Sequence, residues 1–496
     1  MPDTKPRLSL RRLDGDLQRT IELMKADLGG SPDIVFREFR IGASTPAVLI
    51  YTDGLANAEQ LHDFLIDSHL QDASEADILF FRNAFPTVPA VTAIDTPDAL
   101  YNEILSGNTA ILVDGQSRGY ALNTPGWTER AVTESSTQTV IRGPKEAFTE
   151  NVRTNTALVR RRIKDPRLWM EQRTVGRVTK TAVAIMYMKG IVSDSIVEEV
   201  RSRLDRIDID GVLEGGYLEE FIQDEVYTPF PTVFNTERPD AVAANLLEGR
   251  VAILVDGTPF VLLVPVLFSE NLQSPEDYYQ RADIATLLRA LRYIGFLIAL
   301  LGPSLYIAII TFHQELIPTP LLISLAAQRE GIPFPAFVEA MLMEITFEFL
   351  REAGIRMPKT VGQTISIVGA LVIGQAAVEA GIVSAVMVIV VSSTAIASFV
   401  LPAFNLSIAV RMLRFLFMGL AASFGLFGVT IGIIALVLHL CSLRSFGIPY
   451  LSPFAPLLPG DQKDTILRLP HWRMNRRPRL INRKNATRQS DTSKRN

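Results

Sequence analysis

Acidic residues recur at helical spacing between Phe334 and Glu352. Glu344, Glu348 and Glu352 follow one another every four residues, so a helix carries them as one stripe. Carboxylates in an otherwise apolar helix line cation routes in membrane proteins, and we treat these three as a candidate acidic pathway. The alternative is an interfacial helix whose polar face lies in water, and the sequence leaves both interpretations open.

A second candidate site lies between Val361 and Val378. Its glycines make one side of the helix narrow, and its glutamines and serine add polar side chains to that helix. The candidate pore-lining residues are Gly362, Gln363, Ser366, Gly369 and Gln375. Small residues allow close helix contacts in lipid, whereas polar ones bond to neighbours or line water. About 19 residues, ending at Glu379, reach close to 28 Å at 1.5 Å per residue. A pore-lining helix and a simple packing helix both fit.

A basic helix is predicted within residues 142–169, RGPKEAFTENVRTNTALVRRRIKDPRLW. Pro144 suits the first turn of a helix. One helix face is then apolar, with Phe148, Val152, Val159 and Ile163. The other face carries four cations, Arg153, Arg160, Arg161 and Lys164. These four are a candidate contact for a partner subunit or for lipid headgroups, and a solvated face is the alternative.

Motifs that carry enzymatic chemistry are absent from the sequence. There is no G-x-x-x-x-G-K-[ST] phosphate loop, no H-E-x-x-H pair and no G-x-S-x-G elbow. The single cysteine, Cys441, rules out an intramolecular disulfide and a cysteine-based metal cluster. We therefore assign no catalytic, cofactor-binding or metal-binding residue and expect no enzyme.

Apolar stretches between residues 293 and 443 must position the first two candidate sites. Residues 293–314 and 415–443 carry no Asp, Glu, Lys or Arg, and residues 360–410 carry only Glu379. A bilayer core needs roughly 20 apolar residues per crossing helix, so the middle stretch is long enough to cross twice. The pattern predicts an all-α polytopic transmembrane domain.

Basic clusters constrain how this domain crosses. They occur within residues 281–292, 351–359 and 411–414 and through the C-terminal tail, and the positive-inside rule places all of them in the cytoplasm. Residues 415–443 are then too short for two spans of about 20 residues each. Either they form one tilted span with the tail outside, which we favour, or they re-enter with a break near Gly425 to Gly428.

The front half is predicted to contain two duplicated α/β subdomains. The string AILVDG begins at Ala110 and again at Ala252, and each copy follows a β-rich run that begins near Ala47 or Ala182. The intervals are similar, 63 residues (110 − 47) and 70 residues (252 − 182). We interpret the Asp-Gly pairs as turns in which the backbone reaches positive φ. The fold class is an α/β soluble region of two duplicated subdomains, followed by the transmembrane domain.

Six segments follow from these patterns. They are an N-terminal helical arm (1–30), a first cytoplasmic α/β subdomain (31–140), a basic linker helix (141–165), a second cytoplasmic α/β subdomain (166–285), the transmembrane domain (286–445) and a basic C-terminal tail (446–496).

Charge is distributed unevenly along the chain. Residues 460–496 carry eleven Lys or Arg and three acids, a net of +8 (11 − 3), although the whole chain has a net charge of −4. A basic tail after an apolar block is expected near anionic headgroups. Nucleic-acid binding is disfavoured because almost no aromatic residues interleave. The N-terminal MPDTKPRLSLRRLDGD has no apolar h-region, so we expect a cytoplasmic front half.

Two long strings carry a resemblance to a known family. RGPKEAFTENVRTNTALVRRRI and SPFAPLLPGDQKDTILRLPHW, with the paired subdomains and the apolar block, resemble the A subunit of the GerA-type spore germinant receptors. The resemblance implies a spore inner-membrane protein. It also implies a transporter-like B subunit and a lipoprotein C subunit as partners, assembly into a homo-oligomeric ring, and an ion pathway that nutrient binding opens.

The expected function is therefore that of a membrane subunit of a nutrient germinant receptor, which triggers germination and contributes a ligand-gated ion pathway. The alternative is a secondary transporter or membrane scaffold subunit that moves or senses a small solute. Transporters often carry inverted repeats within the membrane domain. Because the repeat here lies in the soluble half, the sequence favours the receptor subunit.

Overall fold

The structure is a computed structural model that describes residues 13, 15–41, 45–57, 90–126, 138, 140–356, 372–482 and 485–489. Two α/β subdomains come first along the chain. A helical region and a C-terminal tail follow them.

The first subdomain is built on a five-stranded antiparallel sheet. Its strands are β1 (Ile34–Ile41), β2 (Thr45–Thr52), β3 (Val91–Ile94), β4 (Thr109–Val113) and β5 (Gly119–Leu122). Their order is β1-β2-β4-β5-β3, and all five residues of the central strand β4 are buried. A strand covered on both faces explains why the string AILV is continuously apolar rather than alternating.

Two helices, α1 (Leu17–Asp27) and α2 (Pro97–Leu105), pack on this sheet. The side chain of Asp16 caps α1 by accepting from the Arg19 N–H at 3.0 Å. Ile21 and Met24 of α1 are buried in one cluster with Leu100 of α2. The segment predicted as a separate N-terminal arm therefore contributes to the core of the first subdomain.

The second subdomain repeats the same strand order. Its strands are β6 (Leu168–Val175), β7 (Thr181–Met188), β8 (Phe234–Thr236), β9 (Val251–Val255) and β10 (Val261–Val264), and its helices are α3 (Val152–Arg162), α4 (Asp194–Asp205), α5 (Gly215–Ile222) and α6 (Pro239–Glu248). The order is β6-β7-β9-β10-β8. The two AILVDG strings fall on β4 and β9, which are the central strands of the two sheets.

The turns after these central strands hold equivalent helices. Asp114 accepts from the Leu17 N–H at the start of α1, at 3.3 Å, and Asp256 accepts from the Val152 N–H at the start of α3, at 3.0 Å. Gly115 and Gly257 follow with φ of 79° and 90°, as the Asp-Gly pairs predicted. Helix α3 is therefore the counterpart of α1 and opens the second subdomain.

The start predicted for α3 was wrong. The helix begins at Val152, not near Pro144, because the Asn151 side chain accepts from the N–H groups of Arg153 and Thr154 at 2.9 and 3.2 Å. Phe148 is buried, but it lies before the helix.

The helical region follows from residue 282. Its helices are α7 (Ala282–Phe312), α8 (Thr319–Arg329), α9 (Ala336–Arg356), α10 (Ala385–Phe399) and α11 (Phe404–Ser442), and residues 372–379 are also helical. In the described part of the chain, α7 and α11 are long and apolar enough to cross a membrane by length and composition. Helices from across this region share one apolar core.

Helix α11 reverses direction at Gly425, whose φ of 61° and ψ of −144° interrupt the helix. A β-carbon at Gly432 would lie 2.7 Å from the Phe417 ring, although 15 residues of continuous helix would separate them by about 22 Å. At Gly425 itself, a β-carbon would lie 2.8 Å from the ring of His313, just beyond α7. The break near Gly425 is therefore what the structure has, and the favoured single tilted span is wrong.

The C-terminal tail returns to the second subdomain. The Ser445 hydroxyl donates to the Thr232 carbonyl at 2.7 Å, and the Phe446 N–H donates to Asp224 at 2.7 Å. The Phe446 side chain is buried in the core of that subdomain. The second half of α11 approaches the same place, since His439 contacts the Thr228 hydroxyl at 2.9 Å.

Candidate functional site: buried ion pairs of the helical region and its junction

Helix α9 carries the predicted acidic stripe, and α11 supplies its counter-ions. Glu344 accepts from Arg414 Nη1 at 2.6 Å, and neither side chain is more than 1% exposed. Glu348, one turn further on, accepts from Arg411 Nε at 2.9 Å and also binds Arg411 Nη2. Paired and hydrogen-bonded, these charges tolerate an apolar setting that would exclude either partner alone.

Arg414 has a second role, set by a proline in α7. Pro303 lies inside that helix and has no N–H, so the carbonyl of Ala299, four residues earlier, lacks its helical donor. Arg414 Nε donates to this carbonyl at 2.7 Å. One guanidinium thus binds one oxygen of the Glu344 carboxylate and a backbone acceptor, which joins three helices.

The other two carboxylates of α9 lie in different environments. Glu339 is buried, accepts from the Ser384 N–H at 2.9 Å and lies 3.2 Å from an Arg329 nitrogen. Glu352 is 59% exposed and pairs with Arg356 at 2.7 Å. The stripe therefore grades from buried ion pairs to an exposed pair at the helix end, and Glu344 does not lie on a wet face.

The predicted pore-lining residues are described only in part. Gly362, Gln363, Ser366 and Gly369 lie outside the residues that the structure describes. Gln375 lies on the helical stretch 372–379, is exposed, and donates from Nε2 to Glu379 at 2.9 Å.

The basic face of α3 contacts the first subdomain. Arg160 is fully buried and donates to both carboxylate oxygens of Asp33, at 2.7 and 3.1 Å, and to the Leu168 carbonyl at 2.7 Å. Arg153 pairs with Asp53, and Lys164 donates to the Ser106 hydroxyl at 3.2 Å. The prediction of Arg160 as a partner contact was wrong, because its guanidinium is buried and hydrogen-bonded to Asp33 and Leu168 of the same chain. Arg161, which binds Glu146 at 3.0 Å, is 37% exposed.

A buried network joins the α/β half, the first turns of α7 and the tail. Asp277 accepts from Arg289 Nε at 2.9 Å and from Arg292 Nη1 at 2.7 Å. Arg289 also donates to Asp464 of the tail at 2.7 Å, and the Tyr278 hydroxyl donates to the same carboxylate at 2.9 Å. Burial raises the pKa of Tyr278 well above its ordinary value, and the Asp464 charge adds to this. The hydroxyl therefore stays a donor.

Sequence reasoning missed this network. Arg289 and Arg292 were interpreted only as markers of the cytoplasmic side, and the Asp464 partner of Arg289 lies 175 residues away. Their spacing of three residues, which places both on one helix face beside an apolar stretch, was the available signal.

A cleft of about 1690 Å³ separates the second subdomain from the helices. Glu214, Glu219 and Asn235 line the subdomain wall, and Arg351 and Phe399 line the helical wall. Burial raises the pKa of Glu219 to about 7, a hydrogen bond from Asn235 opposes that rise, and the negative charge of Glu214 adds to it.

The architecture indicates a class of protein with an α/β half and an apolar helical half. Two helices of the described helical region are long and apolar enough to cross a membrane, and the tail returns to the α/β half. The profile of the family described as "Bacillus/Clostridium GerA spore germination protein" matches residues 22–480. The chain belongs to this family, as the sequence resemblance predicted.

Relatives match along nearly the whole chain. It is 49% identical over 478 residues to "Spore germination protein KA" of Bacillus subtilis (strain 168), covering 95% of this chain and 88% of that protein. It is 42% identical over 475 residues to "Spore germination protein B1" of the same organism, covering 94% and 97%.

A solved structure also matches. It is the N-terminal domain of the A subunit of the Bacillus megaterium spore germinant receptor GerK3, with 41% identity and a TM-score of 0.42. The match covers 52% of this chain and 98% of that one.

Proposed function

We propose that this chain is the membrane subunit of a nutrient germinant receptor in the spore inner membrane, with its α/β half and its tail in the cytoplasm. The observation that carries the proposal is the reversal at Gly425, since it returns the tail to the second subdomain. A fold whose two ends meet on one face of a helical region suits a protein that crosses a bilayer an even number of times. Family membership supports the receptor assignment.

The ends of the helices support a polytopic arrangement. Beyond its far end, α7 meets the tip of the α11 hairpin at Gly425. Near its middle it meets the end of α10, where a β-carbon at Gly295 would lie 3.4 Å from the Ala397 carbonyl. Further along α7, a β-carbon at Gly302 would lie 3.1 Å from the hydroxyl of Thr394, which comes earlier in α10, so the two helices are antiparallel. Helices α7, α10 and the two halves of α11 therefore run alternately away from and toward the α/β half. The half-helices of α11, about 21 and 17 residues long, reach about 31 and 25 Å.

An ion pathway is part of the proposal. Glu344 and Glu348 already hold arginine partners, which leaves little free charge to attract a cation there. The first candidate is therefore a pathway lined by the segment from Gly362 to Gln375, contributed by several copies of the chain in a ring. The acidic stripe of α9 is the second candidate. Partners of the kinds that the resemblance implies, a transporter-like B subunit and a lipoprotein C subunit, would couple nutrient binding to this pathway. Exposed Arg161 stays a candidate contact for them.

The matching capping of α1 and α3 supports the proposed duplication. In both subdomains, the aspartate after the central strand accepts from the first N–H of the leading helix. Chance similarity of two sheets would not also reproduce this contact between distant segments.

Ser366 is the position for the functional test. An added carboxylate at a narrow apolar constriction favours wetting, so Ser366→Asp is expected to release ions without nutrient at normal subunit abundance. A bulky apolar residue, Ser366→Leu, is expected to block nutrient-triggered release instead. Ion release from spores is measured and normalised to the amount of the chain in membranes. Loss of the chain in both variants would assign the segment to packing, and saturable solute uptake by the reconstituted chain alone would favour a transporter.

A further inference from the structure

The cleft between the second subdomain and the helices contains a cation, Arg351, that has no ion-pair partner among the described residues. Arg351 lies near the C-terminal end of α9 and lines this cleft. Its Nη1 atom is buried and makes no hydrogen bond within the described part of the chain. Its Nη2 atom has one weak contact, with the Ser398 hydroxyl at 3.3 Å. A buried guanidinium nitrogen without an acceptor is costly in an apolar setting.

The carboxylates nearest to Arg351 in sequence are paired with other cations. All four acidic residues of α9 have cationic partners elsewhere: Glu339 with Arg329, Glu344 with Arg414, Glu348 with Arg411, and Glu352 with Arg356. Arg351 therefore adds one net positive charge to its end of the helical region.

Glu214 and Glu219, on the subdomain wall of the cleft, make no ion pair with Arg351 in the described part of the chain. Glu214 accepts from the Thr258 hydroxyl at 3.0 Å and from the Gly216 N–H, and Glu219 accepts a hydrogen bond from Asn235. Both carboxylates are thus held within their own subdomain. The group that would complement Arg351 must come from outside the contacts that the structure describes.

The rest of the helical wall is apolar. The Phe399 ring centroid lies 4.8 Å from the Arg351 guanidinium carbon. Phe399 and Ile396 are each 67% exposed, so the cleft continues onto the apolar outer surface of α10. At about 1690 Å³, the cleft exceeds the usual range of about 300–1,000 Å³ for small-molecule pockets and suits a long flexible molecule.

We propose that the cleft binds one anionic phospholipid of the cytoplasmic leaflet, whose phosphate pairs with Arg351 and whose acyl chains lie along Ile396 and Phe399. This inference rests on the membrane orientation given under "Proposed function". Basic pockets at the cytoplasmic ends of transmembrane helices hold anionic headgroups, and a planar guanidinium matches phosphate oxygens. The phosphate supplies the counter-ion that the Arg351 guanidinium lacks among the described residues.

Lipid retention by the purified full chain tests the proposal. The chain is titrated in mild detergent with phosphatidylglycerol or with phosphatidylcholine of the same acyl chains, and bound lipid is counted by native mass spectrometry. We expect one saturable phosphatidylglycerol per chain and weaker binding of phosphatidylcholine. Arg351→Gln should weaken phosphatidylglycerol binding roughly tenfold or more, as loss of a hydrogen bond to a charged group predicts. Arg351→Lys should fall between the two.

Two further variants make the result interpretable. Arg356→Gln removes an exposed, already paired cation from the same helix end and should leave binding unchanged. Ser392→Trp adds bulk at an exposed cleft position while keeping Arg351, so it should reduce lipid binding even if Arg351→Gln fails to fold.

Three outcomes would overturn the proposal. They are equal retention of the two lipids, unchanged retention by both Arg351→Gln and Ser392→Trp, or no bound lipid in the wild type with a smaller oligomer in Arg351→Gln. The last would make Arg351 a contact between copies of the chain.

Membrane flotation of the same variants separates failure of the lipid site from failure of the proposed function. A chain that floats with membranes but retains no lipid contradicts the lipid site alone, whereas a chain absent from membranes contradicts the receptor assignment.

Discussion

The guanidinium of Arg414 lies 2.6 Å from the carboxylate of Glu344, and both side chains are buried in the helical region. The contact joins residues 70 positions apart. Together with the Arg411–Glu348 pair, it neutralises the two charges that would otherwise keep the first half of α11 out of an apolar environment. The hairpin can therefore begin at Phe404, ahead of the arginines.

Breaking the Glu344–Arg414 pair should destabilise the helical region. Glu344→Gln or Arg414→Gln leaves the partner charge buried and unpaired, which costs about 3–5 kcal/mol. The double variant Glu344→Gln/Arg414→Gln should recover part of that loss. The measurements are the amount of chain in membranes and its thermal unfolding in detergent.

The matched control is Glu352→Gln, which breaks the exposed pair with Arg356. Exposed pairs contribute about 0–1 kcal/mol, so this variant should behave like the wild type. Equal effects of Glu344→Gln and Glu352→Gln would contradict the buried pairing.

The contact between the two subdomains should depend on Arg160. Arg160→Ala leaves Asp33 buried without its counter-ion and is expected to lower the free energy of unfolding by about 3–5 kcal/mol. The Arg153 side chain lies on the same helix face and is 57% exposed, so Arg153→Ala should change the free energy of unfolding by less than about 1 kcal/mol. Urea unfolding of the purified chain, with limited proteolysis between the subdomains, makes the comparison. Similar losses for both arginines would show that Arg160 does not hold the interface.

Glu219 should make stability depend on pH. Its pKa is about 7 in the folded chain against an ordinary value of 4.5, so the folded state binds more protons than the unfolded state between these values. Stability therefore falls as pH rises from about 4.5 to about 7. Glu219→Gln removes this dependence and should be more stable than the wild type above pH 7, by about 1–2 kcal/mol after allowing for solvent screening.

Thermal unfolding at pH 5 and pH 8 measures the difference between the two chains. Glu225→Gln, at an exposed position of the same subdomain, is the control and should follow the wild type at both pH values. A gap between Glu219→Gln and the wild type that is the same at both pH values would argue against titration of Glu219.

The α/β half was largely predictable because its signals are local. A continuous apolar string before an Asp-Gly pair identified β4 and β9, and both glycines adopt positive φ. The start of α3 was placed eight residues too early (152 − 144), because the prediction relied on Pro144 and the cap is Asn151.

The contacts of the charged residues were not predictable, because their partners are distant in sequence. Arg411 and Arg414 were interpreted as a cytoplasmic boundary, which shortened the last apolar stretch to residues 415–443 and favoured a single span. The glutamates that neutralise them lie 63 and 70 positions away. Arg160 was likewise interpreted as exposed because Asp33 lies 127 positions earlier.

The central claim is that the tail and the α/β half lie on one side of the membrane while the hairpin tip at Gly425 reaches the other. Because Cys441 is the only cysteine in the sequence, Cys441→Ser provides a background for single reporters. Ser195→Cys marks the α/β half, Thr487→Cys marks the tail and Phe424→Cys marks the tip, all at exposed positions. The measurement is labelling by a membrane-impermeant maleimide in intact protoplasts and after permeabilisation. We expect Phe424→Cys to label in intact protoplasts, and Ser195→Cys and Thr487→Cys to label only after permeabilisation. Labelling of Thr487→Cys but not Ser195→Cys in intact protoplasts would contradict the account.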